Sequence, residues 1–289
     1  MKTKISKGIW MMLIASFAFG LMNICVKKLQ GISVAETVFF RAVVQIILGY
    51  VTILQLGVSP LGKNKLLLLQ RGFFGSMGLI CYFYTLQKMP LGNAIIIHYL
   101  APVLTTILAI GMAGEKVLRI QWFFFVLTFA GVVLVNSAGF QVPIIPMLAG
   151  FGGAFFSALA YNTIKKLKGI EDPNVVVLYF PLVSVPIALS YFLFKPGEWI
   201  WPDAIQYGWL IATGVTTQIG QFFMTRAYQE DLASRVSAVS YAGILWGAAA
   251  GLFIFDEHYV WLQYAGMLLV LLGVVLNINA QRMRDWYQD

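Results

Sequence analysis

The sequence predicts an all-α integral membrane protein of ten transmembrane helices, arranged as two inverted five-helix repeats with the N and C termini cytoplasmic. Three observations predict it: composition, the placement of basic residues, and an internal self-similarity. Of the 289 residues, 60% are hydrophobic and only 11% are charged, and the mean hydropathy is +0.79. A soluble domain runs about 45–50% apolar and about 25% charged. A soluble globular protein, a disordered chain and a disulfide scaffold are therefore excluded. The apolar runs are long and unbroken, unlike the short alternating segments of a membrane barrel.

A spanning helix needs about 20 mainly apolar residues. Runs of that length place spans at 8–28, 33–55, 66–86, 93–113, 120–138, 144–166, 173–194, 206–228, 235–255 and 259–279. The first follows a basic start and imitates a signal peptide, but it is long for one and many spans follow, so it reads as an uncleaved helix. Connections such as 87–92 and 256–258 are short, leaving no room for an extramembrane domain. Cys25 and Cys81 both fall in apolar runs and read as small core residues.

Net charge is +8. With the N-terminus inside, the inner segments carry fifteen Lys and Arg, Arg71 among them, and the outer segments only Lys27, Lys28, Lys88 and Lys195. That bias fits the positive-inside rule and an even number of spans. It gives no reason to invoke nucleic acid as a partner.

Sliding the chain on itself by 142 residues aligns its halves, 8–138 and 144–280. Gln87 meets Gln229, Tyr99 meets Tyr241, Glu115 meets Glu257 and Gln121 meets Gln263. The run Gly131 to Leu134 meets Gly273 to Leu276 without a gap. Five helices per half is an odd number, so the second half enters the membrane from the opposite side. Inverted repeats of this kind are frequent in secondary transporters.

The paired segments from Tyr99 through Pro102 to Glu115, and from Tyr241 to Glu257, resemble the EamA family of the drug/metabolite transporter superfamily. Phe40-Arg41 fits the same pattern. The resemblance covers nearly the whole chain. It implies a carrier, not an enzyme, with a central cavity lined by spans 1, 3, 4, 6, 8 and 9. It implies export of a small organic metabolite across the cytoplasmic (inner) membrane by alternating access, the solute being an amino acid or a similar amphipathic, neutral or zwitterionic compound. Uptake or exchange of a nucleotide-related or drug-like compound is the alternative. No cofactor is implied, the partners are the solute and the lipid bilayer, and the chain acts as a monomer or a homodimer. Ile244 stands where the first half has Pro102, so the two halves need not bend alike.

Polar and aromatic residues within spans are the candidate substrate-binding set: Asn23, Tyr82, His98, Tyr99, Asn162, Gln218, Tyr241 and Trp246. Ionisable groups in spans are costly and usually face a cavity. Pro102 displaces the carbonyl of residue 98, which makes a polar spot beside the His98 imidazole. As repeat mates, Tyr99 and Tyr241 would sit above and below the midplane, as aromatic gates or as core tyrosines. Side-chain amides such as Asn162, Gln218 and Gln221 either join helices or bind solute. Arg41 reads as structural, and Glu36, near the outer end of its span, as hydrated. Glu115 and Glu257 read as caps for the helices that follow them. Residues 57–64 nearly match a phosphate loop, but Asn64 replaces the required Ser or Thr, so a polar turn is expected.

Overall fold

The computed structural model describes residues 6–29, 31–114, 119–137, 143–195 and 197–288, with the backbone alone at 113, 132, 135–137, 238, 274 and 277–288. Glu115 lies outside the described residues. Among the described residues there are twelve helical segments and no strand. They are α1 (Lys7–Lys28), α2 (Val34–Leu56), α3 (Lys65–Lys88), α4 (Leu91–His98), α5 (Leu100–Ala113) and α6 (Arg119–Ser137), then α7 (Ile144–Lys166), α8 (Pro173–Phe194), α9 (Ala204–Glu230), α10 (Ala233–Ser240), α11 (Ala242–Ile254) and α12 (Trp261–Gln288).

The chain is a multi-pass membrane protein. With α4–α5 and α10–α11 each taken as one rod, seven rods are long and apolar enough to cross a bilayer. Large apolar side chains such as Leu54, Phe123, Leu193 and Phe253 are exposed, whereas Arg41, Gln45, Ser76 and Ser184 are buried. That distribution suits hydrocarbon outside and polar partners inside.

The helices start where the sequence supplies acceptors. Ser33 and Glu36 form a capping box at α2, Asn64 caps α3, and Asp203 with Gln206 forms a second capping box at α9. Gly57 ends α2 at φ 64°, a left-handed conformation that glycine adopts without strain.

The main helix interfaces occur in exchanged pairs. α1 packs on α9 as α7 packs on α3, and α2 packs on α9 as α8 packs on α3. α2 meets α8, and α6 meets α12. The last contact is reciprocal in detail. A Cβ on Gly131 would lie 2.6 Å from the Gly266 carbonyl, and one on Gly273 would lie 2.4 Å from Thr128 Oγ1 and 3.1 Å from the Phe124 carbonyl. Each repeat-mate glycine lets the partner backbone come close.

Four expectations are corrected. The fourth and ninth predicted spans are not continuous: each breaks at one residue, Tyr99 and Tyr241. In the first half Pro102 has no N–H for the carbonyl of residue 98. In the ninth span there is no proline, yet the break recurs. There the Ile244 N–H donates to the Tyr241 carbonyl at 2.9 Å, a tight three-residue step. The halves therefore bend at the same place by different means. Glu36 is fully buried rather than hydrated, and its carboxylate accepts the N–H groups of Ser33 (3.1 Å) and Ile200 (2.8 Å). Glu257 does cap a helix, but not the one that follows it. It accepts the N–H groups of Leu91 (2.5 Å) and Gly92 (3.1 Å) at the start of α4. The Tyr259 hydroxyl adds a third bond to it at 2.9 Å, and burial first, Glu257 second, push that phenol above its ordinary pKa.

Residues 57–64 form the expected turn, and the backbone N–H groups of Lys63 and Asn64 are taken by the Glu171 carboxylate. The last helix begins near the expected place and continues through Gln288.

Replacing Glu257 with alanine removes the acceptor from the start of α4. We expect a stability loss of about 1–2 kcal/mol and faster amide hydrogen exchange at 91–93, read by mass spectrometry. Faster exchange confined to the first turn of α12 would contradict the cross-helix cap.

Candidate functional site

A cavity of about 100 Å³ lies where α1, α3, the α4–α5 break, α7, α8, α9 and the end of α10 converge. These include the spans that the resemblance implied, with α8 added through Phe180. Small residues on the inward faces, Gly75 of α3 and Ser157 of α7 among them, leave the space open.

Four candidates from the sequence line it: Asn23, Tyr82, His98 and Tyr99. They form a connected arrangement. The Tyr82 hydroxyl donates to Asn23 Oδ1 at 3.0 Å, tying α3 to α1. The Tyr82 ring stacks on His98 with centroids 4.0 Å apart and planes 23° apart. His98 Nδ1 has no protein partner. The imidazole is thus fixed by stacking and keeps a free nitrogen.

Tyr99 occupies the break itself. Its ring stacks on Tyr241, with centroids 5.3 Å apart and planes 27° apart. The repeat mates therefore touch. Gly243 makes the contact possible, because a Cβ there would lie 1.8 Å from the Tyr99 hydroxyl oxygen. Tyr241 is buried behind Tyr99 and its hydroxyl has no partner.

The remaining candidates lie elsewhere. Asn162 is buried, and its Nδ2 donates to the carbonyls of Thr105 and Ala158, both at 3.0 Å, which ties α7 to α5. Gln218 accepts from Gln45 Nε2 at 3.4 Å and ties α9 to α2. Trp246 is 42% exposed and packs edge-on against Phe17 at 5.1 Å, on the outside of the bundle. The cavity does not include these three.

Sequence reasoning missed Arg71. It sorted this residue with the basic groups of the inner end, yet Arg71 is 1% exposed and lines the cavity. Its Nη2 donates to Gln221 Oε1 at 2.8 Å, and its guanidinium carbon sits 4.7 Å from the Phe180 ring centroid. The available signal was its position six residues inside α3, too deep for an end residue. Arg41 approaches the same ring at 4.8 Å and donates to Gln45.

Toward the start of α1, side-chain contacts join α7 to α9 and α1 to the end of α9. Tyr161 stacks on Tyr228 at 5.1 Å. Asp231 accepts from the Ser6 hydroxyl at 2.5 Å and pairs with Arg235 at 3.6 Å.

The family model of EamA-like transporters matches residues 6–137 and again 144–279. The chain is 28% identical over 279 residues to the pseudopaline exporter CntI of Pseudomonas aeruginosa, covering 94% of this chain and 95% of that one. It is 28% identical to mouse solute carrier family 35 member G1, over 97% of this chain and 79% of that one. A Rickettsia prowazekii S-adenosylmethionine uptake transporter is 24% identical over 65% of this chain and 63% of its own length. A crystal structure with 18% sequence identity superposes at a TM-score of 0.78, covering 96% of this chain and 98% of that one, which shows the shared fold.

Gly243→Ala should cost about 1–3 kcal/mol through overpacking against Tyr99. Adding Tyr99→Phe removes the clashing oxygen and should recover most of the loss in thermal unfolding of the detergent-purified protein. Equal destabilisation with and without Tyr99→Phe would show that the tyrosine does not occupy this space.

Proposed function

Because the chain belongs to the EamA-like transporter family, we propose that it is a secondary carrier that exports a small organic metabolite across the cytoplasmic membrane by alternating access. The observation that carries this reading is the cavity, which gathers a stacked Tyr82–His98 pair, Asn23 and the Tyr99 helix break at one point inside the bundle. Irregular backbone at such depth is tolerated where it lines a cavity, and transporters place their sites at helix breaks.

In this reading ten rods cross the bilayer, with α4–α5 and α10–α11 as one each, and both termini lie in the cytoplasm. With Arg71 set aside as buried within a span, the inner segments still carry fourteen basic residues against four outside, which supports that orientation. The halves 8–138 and 144–280 act as the two moving bodies, a division supported by the double match of the family model and by the exchanged helix pairs. Asn23, Tyr82, His98 and Tyr99 contact the solute. Tyr241 backs Tyr99 as part of a gate, while Asn162, Gln218 and Trp246 bind no solute in this conformation. Rocking of one half against the other then opens each end in turn.

The export direction rests on the exporter named among the relatives. Uptake or exchange of a nucleotide-related compound is the second reading, favoured by the S-adenosylmethionine uptake relative, though that match covers less of both chains.

The test compares metabolites in medium and cytosol for cells carrying the wild type, His98→Ala/Tyr99→Ala or an empty vector, at matched membrane levels. We expect the wild type to enrich a small set of compounds outside, and the double variant to lower that enrichment at least tenfold. Enrichment that survives the double variant would remove these residues from the site. No enrichment over the empty vector would overturn export.

A further inference from the structure

The charges inside the bundle do not balance. Arg41 and Arg71 are 0% and 1% exposed, and both guanidiniums lie within 5 Å of the Phe180 ring centroid. Among the described residues neither has a carboxylate within ion-pair distance. Arg41 donates to Gln45 and Arg71 to Gln221, both neutral amides. Nε and Nη2 of Arg41 and Nε and Nη1 of Arg71 have no partner. Buried cations without counter-charge are costly and are retained where they do something.

Lys27 shows how a cation is used structurally in this same bundle. Its ammonium donates to the carbonyls of Leu86 and Met89 at the end of α3, which are otherwise free. Arg71 does nothing of that kind. Its side chain fills the space that a Cβ on Gly75 would take, 2.1 Å from Nη1, and it borders the cavity. The nearest acid on α2, Glu36, is already held by the N–H groups of Ser33 and Ile200. Among the described residues no Asp or Glu lines the cavity.

We propose that Arg71, with Arg41 beside it across Phe180, is the anion-binding point of this cavity, and that the transported solute presents a carboxylate to it. The proposal rests on the carrier reading above and narrows its substrate class. A guanidinium offers paired donors in a plane, which match the two oxygens of a carboxylate. The second guanidinium adds positive potential without entering the cavity wall. Aromatic walls from Tyr82, Tyr99 and Phe180 suit an apolar or unsaturated body attached to that carboxylate. The bound carboxylate supplies the counter-charge that the fold omits, so occupancy stabilises the loaded state.

The test has two arms. Detergent-purified wild type, Arg71→Gln and Arg71→Lys are heated with benzoate, 3-phenylpropionate or L-phenylalanine, with the matching carboxamides, and with inorganic phosphate. The same three forms are expressed in cells, at matched membrane level, for the medium-and-cytosol comparison. We expect at least one carboxylate, and not its carboxamide, to raise the wild-type unfolding temperature. Arg71→Gln should abolish the shift and Arg71→Lys should keep part of it. In cells every compound enriched by the wild type should carry a carboxylate, and Arg71→Gln should lower its export at least tenfold. Acid and amide acting alike, or phosphate alone shifting the wild type, would overturn the carboxylate assignment. Export of compounds without a carboxylate, undiminished in Arg71→Gln, would overturn this inference and leave the carrier reading standing. Arg71-dependent carboxylate binding without any export would keep the anion-binding point and overturn export.

Discussion

In hydrocarbon, every backbone N–H, every carbonyl and every charge must find its partner within the protein. This constraint organises the molecule. It makes the chain helical, and it explains where three of its few acids go. Glu36 in the first half holds Ile200 of the second. Glu171 in the second half holds Lys63 and Asn64 of the first. Glu257 in the second half holds Leu91 and Gly92 of the first. Each of these carboxylates satisfies the start or approach of a helix in the opposite half, so the bond that completes a helix end also joins the two halves. Carboxylates committed in this way are not available to the buried arginines.

Several of the places where the constraint is not met within the protein gather around one cavity. Helix hydrogen bonding is interrupted at Tyr99 and Tyr241, whose rings stack on each other. His98 keeps an unpartnered nitrogen, and Arg71 keeps two unpartnered donors. His98, Tyr99 and Arg71 border the same cavity, and Tyr241 lies directly behind it. Other polar side chains inside the bundle join helices, as Ser76 does with Ser184 at 2.7 Å, tying α3 to α8.

Composition, the long apolar runs and the 142-residue offset made the helical membrane fold legible in the sequence. The repeat also located detail, because Gly131 with Gly273 and Tyr99 with Tyr241 do occupy equivalent positions. Asn23, Tyr82, His98 and Tyr99 could be chosen as polar or aromatic residues in spans, and they share one cavity. Asn162, Gln218 and Trp246 met the same criterion and lie elsewhere, because residue type does not say which face of a helix borders the cavity. The break at Tyr241 was hidden for lack of a proline. The destination of Glu257 was hidden because a cap between helices far apart in sequence leaves no local pattern. Arg71 was obscured by a charge count that sorts basic residues by nearness to a span end, whereas its long side chain runs inward to Gln221.

The account claims that one cavity serves both sides of the membrane. A single cysteine at Ser16, which lines that cavity, tests it most directly in a chain whose Cys25 and Cys81 are replaced by serine. A membrane-impermeant maleimide is applied to intact cells and, separately, to inside-out vesicles. The account predicts labelling from each face. Labelling from one face alone, however long the exposure, would contradict alternating access to this cavity.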